Sequence, residues 1–399
     1  MTQSFRRASV APVSAHSEDA YEALVPTVAD CLAVLEQAYP PRWAESWDAV
    51  GLSVGERHIP VERVLFAIDP TVGVAEEARD YGAQLLITHH PLFLRGVHGV
   101  PGDTPGGAVV QTLIRAGCAL YTAHTNADVA RPGVSDALAD VLGVIEAEPI
   151  ESSAADELDK IVVFVPGDRR AAVFDAMADA GAGSIGDYDR CAWWGEGTGT
   201  FRPGAAASPA IGKVGRVEEV PEARLEMVAP RRRRAAIVSA MRAAHPYEEP
   251  AFDVVPLAVP SDRGLGRIGR LSVPVSLVDF AATVAAALPA TAAGVRVAGD
   301  PVRSVERVAV CGGTGGSLAG AAARAGADVL VTADGRHHYV LDAVAETGIA
   351  LIDVAHWASE WPWLERAAAM LDDGLRAQGR TVATAVSGQV TDPWRLHLT

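Results

Sequence analysis

Short apolar runs alternate with amphipathic stretches in the first and last parts of this 399-residue chain. The runs that predict buried strands are residues 64–68, 85–88, 119–123, 308–311, 329–332 and 350–353. The stretches that predict helices in the first part are residues 27–39, 72–81, 108–116 and 135–142. Strands that alternate with helices indicate right-handed crossovers. We therefore predict an α/β fold whose main domain contains a largely parallel sheet.

Five candidate metal ligands follow three of the predicted strands. His89 and His90 end one apolar run, and two polar rings directly after a buried strand need partners. Asp128 follows the next run, and His356 and Glu360 follow the last. Imidazole and carboxylate ligands together suit zinc, manganese or iron. Because sites form where the carboxyl ends of parallel strands converge, this pattern predicts a metal centre, and a bridging carboxylate would allow two ions.

The candidate ligands also have ordinary structural explanations. A histidine after a strand is often a hydrogen-bonded loop residue, and Asp128 alone can be a turn aspartate. The position of all five after apolar runs favours the metal centre. Ser359 is predicted to cap the last helix, which puts His356 before that helix and Glu360 in its first turn, so the two need not form a same-face pair.

The pattern changes in the middle of the chain. Two strand-helix-strand segments there, beginning near residues 161 and 224, are typical of a ferredoxin-like α+β module. Between them lies a stretch rich in Gly, Ala and aromatic residues, with Trp193 and Trp194 at its centre. Because candidate ligands lie on both sides of the module, we interpret it as an insertion. The predicted boundaries are 1–20 for a disordered leader, 21–148 with 262–399 for the main domain, and 149–261 for the inserted module.

Composition narrows the class of partner. The chain has 34 Lys+Arg against 50 Asp+Glu, a net charge of −16, which disfavours nucleic acid or an anionic membrane as a partner. The four arginines at 231–234 then indicate a solvated helix face. Four scattered cysteines form no paired metal-ligand spacing and are typical of a reducing cytoplasm. No apolar run approaches the ~18 residues that a membrane-spanning helix needs. The predicted leader resembles a transit peptide only in that it has no acidic residue before residue 17.

Further polar groups near strand ends are candidates for proton transfer. Asp334 and His338 follow the strand at 329–332, and His124 follows the strand at 119–123, so each can be an acid, a base or a partner of a ligand. Alternatively, His338 only flanks the start of a helix. The glycine-rich turn at 312–317 can offer N–H groups to an anion. The turn lacks the Gly-Lys-Ser/Thr ending of a P-loop and the glycine spacing of a dinucleotide-binding motif, so a close backbone turn is favoured. If the substrate carries a phosphate, we expect this turn to bind it.

Together these stretches resemble the Nif-three-like family, often labelled GTP cyclohydrolase I type 2 homologues. The resemblance runs in the same order from Ser46 to Glu360, nearly the whole chain. The motifs that carry it are Trp47–Leu52, Thr88–Leu92, Ala123–Asn126 with Asp128, Gly133–Leu138, His245–Pro250, Gly266–Gly269, Cys311–Gly313, His356 and Glu360.

The resemblance implies a centre of two divalent metal ions bound by His89, His90, Asp128, His356 and Glu360. It also implies a ring-shaped homohexamer and an inserted module similar to PII-type signalling proteins. All five ligand types are intact in this sequence.

Two single positions and one short stretch depart from the family pattern. Ala127 stands where leucine is usual, and Ala355 stands where glycine is usual. Residues 333–338 read Ala-Asp-Gly-Arg-His-His where the family tends to have Gly-Asp-Ile/Val-Lys-Tyr-His. We therefore expect substrate contacts near residue 336 to differ.

Two classes of function fit these observations. The first is a metal-dependent hydrolase, of cyclohydrolase or phosphoesterase type, acting on a nucleotide-like or phosphorylated small molecule, with His338, Asp334 or His124 moving the proton. The second is a non-enzymatic metal-binding or regulatory protein, in which the module senses a metabolite and the ring is a scaffold. Reversible metal trafficking is a third possibility, and family membership alone does not decide among them.

Overall fold

The computed structural model describes residues 25–153, 157–258 and 261–398. The chain divides into two compact units, one within residues 1–153 and 262–399 and the other within residues 154–261. The predicted leader, residues 1–20, lies outside the described residues. Within the described ranges, no helix is long and apolar enough to cross a membrane.

Helices and strands are labelled separately in chain order. The helices are α1 (Val28–Ala38), α2 (Val72–Tyr81), α3 (Pro105–Ala116), α4 (Thr125–Val129), α5 (Val134–Val141), α6 (Arg170–Asp179), α7 (Arg234–Ala244), α8 (Leu277–Ala287), α9 (Ala319–Arg324), α10 (His337–Thr347), α11 (His356–Glu360) and α12 (Pro362–Arg376). The strands are β1 (Gly51–Val54), β2 (Arg63–Ala67), β3 (Leu85–Thr88), β4 (Ala119–Thr122), β5 (Ile145–Glu148), β6 (Glu151–Ser152), β7 (Leu158–Pro166), β8 (Trp193–Phe201), β9 (Glu218–Pro230), β10 (Phe252–Leu257), β11 (Gly264–Leu265), β12 (Arg267–Ser276), β13 (Arg296–Ala298), β14 (Ser304–Val310), β15 (Val329–Ala333), β16 (Ala350–Val354) and β17 (Ala383–Val386).

Local sequence signals set the ends of several helices. Thr27 and Asp30 form a capping box at the start of α1, where the Thr27 hydroxyl accepts the Asp30 N–H and the Asp30 carboxylate accepts the Thr27 N–H. At the start of α3 the Thr104 hydroxyl accepts the Gly107 N–H, and the proline that follows Thr104 needs no N–H partner in the first turn. Gly117 ends α3 with φ 65°, a left-handed conformation that glycine adopts without steric cost.

The first unit contains two larger sheets. One has the strand order β1-β4-β3-β2-β17, and all its neighbours are parallel except β1 and β4. The other has the order β13-β16-β15-β14-β12-β5, in which only β14, β15 and β16 are parallel to one another. The unit is therefore mixed α/β. The prediction of a largely parallel sheet describes the first sheet and needs correction for the second, because β12 returns antiparallel beside β14.

One hydrophobic core connects the two sheets of the first unit. It contains Phe66 and Ile87 from the first sheet and Val310 and Val331 from the second, all fully buried. Trp363 of α12 belongs to the same core. Segments on both sides of residues 154–261 thus contribute to one interior, so they have to fold together.

A buried ion pair also joins the two segments. Arg267 is fully buried, and its guanidinium donates to both carboxylate oxygens of Asp136 at 2.8 and 2.7 Å. It also donates to the carbonyl oxygens of Ala130, Gly264 and Gly266. The charge is therefore compensated, and its hydrogen-bonding capacity is used within the interior.

The second unit has one antiparallel sheet with the strand order β10-β7-β9-β8. Alternate residues of β7 and β9 are fully buried on one face, among them Ile161, Val163 and Leu225. Met177 of α6 and Met241 of α7 belong to the same buried cluster. The two helices thus cover one face of the sheet, and this unit has its own core.

Candidate metal centre

The five predicted ligands lie together where strands of the two sheets end. His89 Nε2 lies 3.5 Å from Glu360 Oε1 and 3.6 Å from Asp128 Oδ1. His90 Nε2 lies 3.2 Å from Glu360 Oε2, and His356 Nε2 lies 2.9 Å from Glu360 Oε1. Glu360 is almost fully buried and is the member of the cluster nearest to all three imidazoles.

The outer nitrogen of each histidine ring is engaged by the surrounding protein. His89 Nδ1 donates to the carbonyl oxygen of Ala123 at 2.9 Å, and His90 Nδ1 lies 2.7 Å from Asp69 Oδ1. Because a carbonyl oxygen only accepts, the neutral His89 ring carries its proton on Nδ1 and presents a lone pair at Nε2. Outer partners of this kind are typical of histidines that bind metal ions through Nε2.

Asp334 is the outer partner of the third histidine. Its Oδ2 lies 2.7 Å from His356 Nδ1 and accepts a hydrogen bond from the Thr314 hydroxyl. Asp334 adopts φ 55°, a left-handed conformation that is uncommon for a residue other than glycine. The backbone is thus held in an unfavourable conformation at a residue that orients a candidate ligand, a combination that favours a functional role.

A fourth histidine stands beside the cluster. Ligand atoms of His89, His90 and His124 lie within 4.8 Å of one another. His124 Nδ1 lies 2.8 Å from Asp48 Oδ1, and Asp48 is held in turn by the backbone N–H and hydroxyl of Thr125. His124 therefore resembles His90 and His356, because the Nδ1 of each has an outer carboxylate partner.

Asp48 and Asp69 had not been assigned a role from the sequence. The sequence does mark both aspartates as candidates, because Asp69 directly follows the apolar run 64–68 and Asp48 lies in the motif at 47–52. Neither signal shows which histidine the aspartate contacts. Side-chain pairing between distant segments is a property of the folded chain.

The electrostatics of the cluster favour positive charge. Burial alone would lower the pKa of His89 and His90, but the surrounding carboxylates together outweigh it and raise both pKa values. Glu360 acts on both rings, with Asp128 beside His89 and Asp69 beside His90. The same balance raises the pKa of His356 to about 9. Burial would raise the pKa of Glu360, but the three histidines hold it well below its usual range. Burial raises the pKa of Asp128 despite the nearby histidines. A cluster that holds protons this firmly also attracts metal cations, which compete for the same Nε2 atoms.

The donor set fits a divalent metal ion. His89 Nε2 and Glu360 Oε2 are buried and have no partner in hydrogen-bonding geometry among the described residues. Buried polar atoms without partners are rare and often mark an absent ion or water. His90, His356 and Glu360 form one group able to hold an ion, and His89, His90 and His124 form another. Imidazole and carboxylate ligands of this kind suit zinc, manganese or iron.

The predicted cap of the last helix is wrong. The short helix α11 starts at His356 with Ala355 as its N-cap, so Ser359 lies inside it. The Ser359 hydroxyl donates to the His356 carbonyl and accepts the N–H of Gly313. His356 and Glu360 are consequently a same-face pair at i and i+4, which brings Nε2 and Oε1 together.

The glycine-rich turn packs directly against this pair. A Cβ on Gly313, where φ is 64°, would lie 2.5 Å from Glu360 Oε1 and 3.1 Å from His356 Nε2. The turn therefore lets the backbone approach the cluster closely, in agreement with the close-turn interpretation. Anion binding at this turn stays a prediction.

The three predicted proton-transfer residues lie in different surroundings. His124 borders the cluster and Asp334 orients His356, as described above. His338 lies in the first turn of α10, is exposed, and packs against the ring of His337 at 5.2 Å. In the part of the chain that the structure describes, no hydrogen bond or ion pair links His338 to the cluster.

The fold and the site define a mixed α/β protein with a His/Glu cluster that can hold a metal ion. The family sequence model described as Duf34/NIF3 (NGG1p interacting factor 3) matches residues 26–393. The chain belongs to this family, which confirms the resemblance found from its motifs.

Curated relatives and solved structures agree with this assignment. The "GTP cyclohydrolase 1 type 2 homolog" of Mycobacterium leprae (strain TN) is 52% identical over 374 residues, which is 92% of this chain and 95% of the relative. The protein of the same name from Bacillus subtilis (strain 168) is 39% identical over 328 residues, 82% of this chain and 87% of the relative. The crystal structure of a Bacillus cereus protein related to NIF3 matches with a TM-score of 0.76 and 36% identity, covering 94% of this chain and 100% of the other.

Proposed function

We propose that this protein is a dinuclear metal-dependent hydrolase that acts on a nucleotide-like or phosphorylated small molecule. The observation that carries the proposal is the orientation of the four imidazoles, His89, His90, His124 and His356. The outer nitrogen of each has a carboxylate or carbonyl partner, so that Nε2 is left to bind a metal ion or, in His124, to transfer a proton. A histidine with a purely structural role is satisfied by one such hydrogen bond and needs no other histidine beside it. Three of these rings, those of His89, His90 and His356, surround one buried glutamate, and this arrangement favours a metal centre.

The chain's own residues would divide the work in the following way. His89, His90, Asp128, His356 and Glu360 would hold two divalent ions, with zinc, manganese and iron as the candidates. When bound, such ions supply Lewis acidity and lower the pKa of water. Glu360 has both carboxylate oxygens among the imidazoles and is the best candidate for a bridging ligand.

His124 is the best-supported proton-transfer residue of the three. Its contact with Asp48 fixes the ring orientation, as a carboxylate does for a catalytic histidine. Asp334 would act through His356 as a positioning residue. The exposed His338 has less support from the geometry.

A small cavity beside the centre offers space for part of a substrate. It has a volume of about 170 Å³ and is lined by Thr314, Asp334, Arg336 and Tyr339, among others. Arg336 could pair with a phosphate or carboxylate group. Because Asp334 also contacts His356, a ligand in this cavity would lie next to the candidate metal ligands.

The second candidate function is a non-enzymatic metal-binding or metabolite-sensing scaffold. It is favoured by the second unit, which has its own core and its own cavity. We also propose that this unit is an inserted ferredoxin-like, PII-like module. The strand order β10-β7-β9-β8 with α6 and α7 on one face supports this, because it is the order of a β-α-β-β-α-β module. The family resemblance further leads us to propose a homohexamer, which light scattering after size-exclusion chromatography would test.

The test is a substrate screen of the metal-loaded full-length protein. The protein would be reconstituted separately with zinc, manganese and iron and assayed against nucleotides and phosphoesters. We expect about two ions per chain and turnover of at least one substrate class. A Glu360→Gln variant should lose both metal and turnover, whereas Arg232→Ala should keep both, because Arg232 lies outside the cluster. Full metal content in the Glu360→Gln variant would contradict the centre. Bound metal with no turnover would favour the scaffold.

A further inference from the structure

The sheet of the second unit has a second face that carries a cavity. The cavity has a volume of about 650 Å³, within the range of small-molecule sites, and residues of the second unit alone line it. It lies on the face opposite to α6 and α7, because its lining residues Phe164, Glu222 and Arg224 alternate with the buried core residues of β7 and β9. No part of the proposed metal centre belongs to it.

Three alternating glycines form the floor of this cavity. Gly195, Gly197 and Gly199 of β8 lie two residues apart and therefore face the same side of the sheet. A Cβ on Gly199 would lie 2.0 Å from Glu222 Oε2, so the carboxylate rests directly over the strand backbone. A Cβ on Gly197 would meet nothing within 4 Å. Glycines inside a strand often mark the close approach of a ligand, and the open space above Gly197 is where one would fit.

Aromatic rings form one wall of the cavity. Phe201 and Tyr247 have ring centroids 5.6 Å apart. Tyr247 is held by His245, which accepts the Tyr247 N–H on Nδ1 and donates from Nε2 to the carbonyl of Phe164. Burial lowers the pKa of His245, in agreement with a neutral ring that makes both contacts. The wall is thus fixed in place and can stack a flat ligand.

The polar groups of the cavity call for a ligand that donates hydrogen bonds. The lining contains four carboxylates and two guanidinium groups. Arg224 is paired with Glu226 at 2.9 Å, and Glu249 is paired with Arg242 at 2.8 Å, whereas Glu222 has no ion pair within the described ranges. An ionised carboxylate is an acceptor only. The Tyr247 hydroxyl has no partner in hydrogen-bonding geometry within the described ranges, but burial and the nearby Glu222 carboxylate together raise the pKa of Tyr247.

We propose that this cavity binds a planar nitrogen heterocycle with two neighbouring N–H donors, of the guanine or pterin type. The ring lies over Gly197 and stacks against Phe201 and Tyr247, while Glu222 accepts the two N–H groups as a bidentate partner. The excess of carboxylates disfavours recognition through a phosphate. This site goes beyond the proposed hydrolase and does not depend on it.

Calorimetric titration of the full-length protein with guanosine tests this inference. Inosine lacks the exocyclic amino group and should bind about 10- to 100-fold more weakly, which corresponds to one lost hydrogen bond to a charged group. Adenosine and choline serve as comparison ligands for base stacking and for cation binding. Absence of saturable guanosine binding, or tighter binding of choline than of guanosine, would overturn the proposal.

Two variants separate ligand binding from folding. Gly197→Val fills the open space with a residue that strands favour, so it should fold with an unchanged or higher Tm but lose guanosine binding. Glu222→Gln should weaken guanosine binding at least about 10-fold. The control Glu219→Gln makes the same charge change on the same strand outside the cavity and should bind like the unmodified protein.

Unchanged guanosine affinity in folded Gly197→Val protein would overturn the assignment. The Glu360→Gln variant should retain guanosine binding, which distinguishes failure of this site from failure of the metal centre.

Discussion

The buried pair between Arg267 and Asp136 gives the sharpest test of how the first unit is held together. Replacing Arg267 with Met removes its hydrogen bonds to both Asp136 oxygens and to three carbonyl groups. Met fills much of the same volume, so the main effect is electrostatic. Asp136 keeps the Gly133 N–H as a donor, but its charge is left without a counterion in the interior.

The expected cost is large. Breaking a buried ion pair by removing one partner costs about 3–5 kcal/mol, a sizeable part of the ~5–15 kcal/mol stability of a typical domain. Arg270, three residues along the same strand, is the matched control. It pairs with Glu146, but both side chains are exposed, so Arg270→Met should have little effect on stability.

Hydrogen exchange measured on peptides from β14 and β15 is a suitable assay. It reports the opening of the first unit separately from the second, and a chelator in the buffer removes any stabilisation by bound metal. The double variant Asp136→Asn with Arg267→Met should recover part of the loss, because no charge is then buried alone. An Arg267→Met variant that is as stable as the Arg270→Met variant would refute the reasoning.

Three further predictions concern the metal centre. Gly313→Ala should lower the metal content found by elemental analysis, because its Cβ would lie 2.5 Å from Glu360 Oε1. In the control variant Gly316→Ala, in the same turn, the Cβ meets nothing within 4 Å, so this variant should keep the metal. Equal metal content in the two variants would argue against this packing. If the protein is a hydrolase, His124→Ala should keep its metal but lower turnover by about 10²–10⁴-fold, whereas His338→Ala should have little effect on turnover. A larger loss of turnover in His338→Ala than in His124→Ala would instead assign proton transfer to His338. Metal binding should release protons at pH 7, because His356 without metal has a pKa of about 9 and is protonated below it, and its contribution should vanish above that pKa. Calorimetry in buffers of different ionisation enthalpy measures this release, and a value independent of pH between 7 and 10 would contradict the raised pKa.

The sequence by itself determined the elements that depend on local pattern. Apolar β-branched runs give the buried strands β2, β3, β4, β15 and β16, and Thr27 and Gly117 mark helix ends through contacts with near neighbours in the chain. The five candidate ligands were found for the same reason, because a polar residue after a buried strand is visible in the order of residues. The convergence of His89 and His90 with Asp128 could be predicted because β3 and β4 are parallel neighbours. His356 and Glu360 follow a strand of the other sheet, so their approach to the first three was decided by the packing of the two sheets.

Only the tertiary structure decided how distant segments pair. The antiparallel return of β12 beside β14, the choice of Asp69 for His90 and of Asp48 for His124, and the buried Arg267–Asp136 pair all join residues that are remote in the chain. The start of α11 at His356 also depends on a distant contact, because the Ser359 hydroxyl accepts the N–H of Gly313 and does not cap the helix. Local preferences are worth about 1 kcal/mol or less per residue, whereas a buried charge or polar atom without its partner costs several kcal/mol. The partner therefore sets the final geometry.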